Sequence, residues 1–126
     1  MKIASMMARI LLGLMFTIFG LNGFLHFIKA PLPTGLAGQF VTVLFVSKYY
    51  VVVFFVQLLA GILFLVNRYV PLAIVLIGPV IVNILAFHIT MDPGHLTLAL
   101  VVTILWVILA VDKRRHLAGI FDQRSV

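Results

Sequence analysis

Long apolar runs separated by short polar clusters set the pattern of this chain. Four runs reach or approach the roughly 20 residues that a helix needs to cross a bilayer core. They cover about 3–28, 49–66, 70–90 and 96–111. None alternates with the period of two of a barrel strand, so each is predicted to be a helix. The first run follows Met1-Lys2 but is longer than a signal peptide's apolar region of about 7–15 residues. No small-x-small cleavage site follows it, and it reads as a retained helix. Short connections after the second and third runs make the helices they join antiparallel neighbours. The expected fold is an all-α membrane protein: an antiparallel four-transmembrane-helix bundle in one domain, 1–111, followed by a basic cytoplasmic tail, 112–126.

The connection between the first two runs is longer. Two prolines and a glycine in Ala30-Pro31-Leu32-Pro33-Thr34-Gly35 cannot continue a helix. Thr34 is placed to cap a short helix running to Val46. That piece is apolar but too short to span, which makes it interfacial or re-entrant. Ser47-Lys48-Tyr49-Tyr50 then has the basic and aromatic character of the headgroup layer. Two readings of 29–48 stand side by side: a lid over the outer mouth of the bundle, or an interfacial helix without that role.

Two local features modify the simple bundle. Gly13 and Gly20, seven apart, share a helical face where small residues allow close approach. Asn22 lies nearly opposite Gly13, so the first helix is expected to have two protein-facing surfaces. A homodimer or a neighbouring helix of the same chain would satisfy the second. In the third run, Gly78-Pro79 predicts a kink and frees a carbonyl near Val75 that must find a partner.

Composition supports the membrane assignment. Of 126 residues, 64% are hydrophobic and only 10% charged, with a mean hydropathy of +1.29; soluble domains carry about 25% charged residues. Nine Lys and Arg against three Asp, with no Glu, give a formal charge of +6. The basic residues lie at segment ends, which fits anionic membrane lipids as partners and not nucleic acid. Lys2, Arg9, Arg68 and Lys113-Arg114-Arg115 fall on one side, Lys29 and Lys48 on the other. The positive-inside rule then puts both termini in the cytoplasm. The absence of Cys removes disulfides, thiolate catalysis and Cys-ligated metals.

Candidate chemistry rests on uncharged polar residues inside the runs. Asn22 and His26, four apart, share one helical face. Counted from the cytoplasmic ends at about 1.5 Å per residue, Asn22 and Asn83 both lie about 20 Å deep. His26 and His88 fall about a turn further out, Gln57 lies nearer the midplane, and His95 with Asp92 belongs to the outer mouth. Polar groups at membrane depth are costly, so this layer is the candidate site. Against convergence, Asn83 and His88 are five apart, about 140° around a helix. Three readings follow: amides that glue helices together, a quinone or lipid-like ligand contacted by His26 or His88 and the amides, and, with least support, haem held by two histidines. No metal site is expected, since only the outer-mouth histidines with Asp92 approach the three or four ligands required. No hydrolytic constellation is present, because the Asp residues lie outside the apolar runs.

The segment Ala8–Phe24, ARILLGLMFTIFGLNGF, resembles the first helix of the DoxX family of small bacterial integral membrane proteins. Gln57–Ala73, QLLAGILFLVNRYVPLA, is similar to the family's second helix and cytoplasmic turn. The resemblance covers roughly 4–111 and implies a four-helix, multi-pass protein of the bacterial inner membrane. Some relatives are subunits of thiosulfate:quinone oxidoreductases and others are linked to oxidative-stress complexes. The resemblance therefore implies the membrane subunit of a quinone-linked oxidoreductase, with a partner subunit or homo-oligomer. The alternative is a non-enzymatic membrane scaffold or small-ligand/lipid-binding module. Family members often carry an acidic residue where Gln57 stands; Gln does not titrate, which counts against proton coupling there. The lack of Cys counts against direct sulfur handling.

Overall fold

A computed structural model describes residues 2–26 and 33–123. All regular structure among them is helical: α1 (Lys2–Leu25), α2 (Gly35–Val46), α3 (Tyr50–Val66), α4 (Val70–Thr90), α5 (Leu96–Asp112) and α6 (Arg114–Leu117). Single 3₁₀ turns occupy Pro93–His95 and Ala118–Phe121. Helices α1 and α4, and α5 with its 3₁₀ lead-in, are long and apolar enough to cross a membrane. Helices α2 and α3 pass that test only together, and they meet at 89°; if the pair is one span, there are up to four.

Two boundaries differ from the sequence pattern. Helix α1 stops at Leu25 and not at 28, because His26 takes a left-handed conformation with φ 53° while its N–H still bonds the Asn22 carbonyl at 2.8 Å. The proline-bearing break from 27 to 32 lies outside the described residues. Thr34 precedes α2 as expected, but its side chain makes no capping hydrogen bond. The segment after Asp112 is not a plain tail, since α6 and a 3₁₀ turn carry it to Phe121.

Helix α1 packs most extensively on α3, and further contacts of α1 with α5, α3 with α4, and α4 with α5 complete a ring of neighbours. The α1–α3 seam is built on glycine. A Cβ on Gly13 would lie 2.8 Å from Leu65 Cγ, and one on Gly20 would lie 2.9 Å from the Leu58 nitrogen. From the other side, a Cβ on Gly61 would lie 2.6 Å from the Thr17 nitrogen. These pairs descend on one helix as they ascend on the other, so α1 and α3 run antiparallel. The small-residue face of α1 is thus consumed within the chain. Inside a bilayer, where lipid is as apolar as Leu, such close van der Waals packing drives helix association.

The core between the helices holds Leu12 and Phe16 of α1, Phe64 of α3, Ile74 and Ile77 of α4 and Leu109 of α5, all buried. Outside, Ile, Leu, Val and Phe side chains such as Ile18, Phe55, Val82 and Ile104 are exposed on every long helix. Such an apolar exterior exceeds what water tolerates and suits a lipid surrounding.

Candidate functional site

The predicted polar layer lies at the end of the molecule that holds α2 and the Asp92 turn, here the distal end. His26, exposed at the close of α1, sets its ring 5.7 Å from Phe45 of α2. Phe45 stacks on Tyr50 at 4.8 Å, and Tyr50 also meets Phe24 and Phe54, each at 6.3 Å. An aromatic cluster therefore fastens the corner where α1, α2 and α3 meet. A second contact, Phe40 to Phe87 at 5.3 Å, fastens α2 to α4, and His88 stands edge-on to Phe87 at 5.2 Å. The two histidines thus rest on different aromatic groups.

Hydrogen bonding separates the predicted residues further. Asn83 is exposed and donates through Nδ2 to the Pro79 carbonyl at 2.9 Å, on its own helix. His88 Nδ1 lies 2.7 Å from the Ile84 carbonyl. A carbonyl can only accept, so that contact puts the proton on Nδ1. Thr90 and Thr103 likewise donate to Ala86 and Ala99, four residues back. Asn22 is half-buried on α1 and partnered. Gln57 is 7% exposed and sits one turn before Gly61, on the α3 face with which α1 packs. His95 Nδ1 lies 3.0 Å from both carboxylate oxygens of Asp92, in an exposed pair within the α4–α5 turn. Among the described residues, no three His, Cys, Asp or Glu gather closely enough to hold a metal ion.

The opposite end, which carries the start of α1, holds long-range polar contacts that sequence reasoning did not pair. Ser5, buried on α1, donates to Asp112 Oδ2 at 2.6 Å, and Lys113 Nζ lies 3.5 Å from the same oxygen. Half-buried Arg9 donates from its guanidinium to the Phe64 carbonyl. That carbonyl belongs to the last turn of α3, where the chain reverses through a Schellman arrangement: Asn67 takes φ 57°, its N–H reaches Phe64 O, and the Arg68 N–H reaches Leu63 O. Arg9 therefore places its charge where the α3 dipole is negative and adds a charged donor to a carbonyl that the Asn67 N–H reaches only at 3.4 Å. Ser5 and Asp112 lie at matching depth at the same end of their helices, a signal that the sequence carries for the first contact. Arg9 carried no comparable signal.

Trp106 of α5 donates Nε1–H to the Ile74 carbonyl at 3.0 Å, one residue before the Val75 carbonyl that Pro79 is expected to free. The indole lies beside Gly78, where a Cβ would meet Trp106 Cζ2 at an ordinary contact distance of 3.4 Å. Beside this contact, α4, α5 and the segment after α5 enclose a groove of about 450 Å³. Ile74, Gly78 and Trp106 line it deep in the helices, Leu117 and Phe121 near the end, and Arg114 is its one charged lining residue among the described residues. A more open hollow of about 610 Å³ lies beside α2, along Gly38, Gln39 and Thr42. Neither cavity is lined by Asn22, His26, Gln57, Asn83 or His88.

Comparison with known protein families, curated proteins and solved structures finds no significant match to this chain.

Proposed function

We propose that this chain is a multi-pass protein of the bacterial inner membrane with DoxX-like architecture, an antiparallel four-helix bundle that serves as a non-catalytic scaffold or lipid-binding module. One observation carries the reading: Asn83 and His88, the most chemically suggestive side chains of α4, bond to carbonyls of their own helix. Polar groups at membrane depth that satisfy their own backbone hold no ligand through those atoms and incur little desolvation cost. Ser5–Asp112 and Arg9–Phe64 act the same way between helices, as locks. The basic residues support an orientation: Lys2, Arg9, Arg68 and Lys113 to Arg115 cluster at the end with these locks, and that end faces the cytoplasm.

The chain has no Cys, so single cysteines report topology against a clean background. In intact cells, a membrane-impermeant maleimide is expected to label His95→Cys and to spare Lys2→Cys and Arg115→Cys. The reverse labelling, or labelling of all three, rejects the orientation. For the scaffold reading, purified protein titrated with a short-chain ubiquinone analogue is expected to show no saturable binding. Saturable binding that His88→Ala abolishes would replace it with the quinone-linked one.

A further inference from the structure

The groove beside Trp106 is an apolar feature that helix packing leaves without a role. We propose that it seats an acyl chain of an anionic phospholipid, with the lipid phosphate on Arg114. The inference rests on the membrane-spanning reading above and adds a ligand class and a residue to it.

Three observations lead there. The groove opens between apolar walls, and Val75, Val107 and Val111 on its rim are 43%, 45% and 45% exposed. A hollow so lined offers water almost nothing to bond, so in a bilayer hydrocarbon fills it. Its volume of about 450 Å³ falls in the range of about 300–1,000 Å³ typical of small-molecule sites. The second observation is charge. Arg114 Nη1 donates to the Val111 carbonyl at 2.8 Å, which holds the side chain at the groove's end. A guanidinium has five N–H donors in a planar fork, and those left over match the oxygens of a phosphate. Lys113, by contrast, is paired with Asp112, while Arg115, the next residue after Arg114, is exposed and adds to the positive field. The third is the chain after α5, where Leu117 packs against the core and Phe121 lies 79% exposed at the groove's end. An exposed aromatic beside a basic cluster suits the headgroup level.

The experiment exploits the chain's single tryptophan, Trp106, which lies inside the groove. Full-length protein is reconstituted into phosphatidylcholine vesicles that contain, at equal mole fraction, either phosphatidylglycerol or phosphatidylcholine with brominated acyl chains, and Trp106 quenching is read. The expected result is about five-fold stronger association with the phosphatidylglycerol, as one basic contact near the surface provides. Arg114→Gln brings the ratio close to one, while Arg115→Gln largely preserves it. Ala110→Phe, which fills the groove, lowers quenching by both lipids, and circular dichroism checks that each variant keeps its helices. Equal quenching by the two lipids in the wild type overturns the proposal. So does an Arg115→Gln loss as large as that of Arg114→Gln, which would mean a diffuse surface field. Weak quenching by both lipids that rises when the protein is diluted in lipid places a second protein helix in the groove and also overturns it. Protein that alkaline carbonate extracts from the vesicles rejects the membrane-spanning reading itself.

Discussion

Ser5 Oγ donates to Asp112 Oδ2 across 2.6 Å and ties the start of α1 to the last residue of α5, 107 positions later. Ser5 is buried and its acceptor is a carboxylate, a combination stronger than a hydrogen bond between neutral groups. Ser5→Ala is expected to lower stability, read from unfolding in mixed micelles with increasing sodium dodecyl sulfate. Combined with Asp112→Asn, the two losses should fall short of additive. Full additivity would mean that the pair is not coupled.

The glycine seam makes a sharper prediction because backbone, not a flexible side chain, stands in the way. A Cβ on Gly20 would lie 2.9 Å from the Leu58 nitrogen and 3.0 Å from its Cα. Gly20→Ala is expected to cost about 1–3 kcal/mol, as overpacked sites do. Gly94→Ala, where a Cβ meets nothing within 4 Å, should be nearly silent. Equal effects at the two positions in the same unfolding assay would dissolve the seam as a determinant of packing.

Trp106 combines a hydrogen bond with a snug neighbour. Trp106→Phe removes the donor to Ile74 and is expected to cost about 0.6–2 kcal/mol, the range for hydrogen bonds between membrane helices. Gly78→Ala should cost less than Gly20→Ala, since its new methyl meets the indole at an ordinary 3.4 Å. A ranking in the opposite order, measured by thermal denaturation in detergent, would contradict this geometry.

The polar residues of α4 should matter little to stability. Asn83 and His88 bond to carbonyls of their own helix, and Asn83 is exposed. Asn83→Ala and His88→Ala are each expected to change stability by less than about 1 kcal/mol. Losses well above that in either variant would mean that the side chain holds more than its own backbone.

The sequence by itself determined where helices form and how they break. Continuous apolar runs and the short polar clusters between them are local signals, and α4 matches its expected bounds of 70–90. The close-contact face of α1 was legible too, because Gly13 and Gly20 repeat with the helix. Only the tertiary structure decided what each face meets: that the glycines take α3, that Ser5 finds Asp112, that Arg9 finds the end of α3, and that Trp106 reaches Ile74. The physical reason lies in the composition. When nearly every side of a helix is apolar, hydrophobicity along the chain says little about how that helix turns about its axis. Rotation and register are then set by close packing and by a few polar atoms seeking partners, and both belong to pairs of residues far apart in sequence.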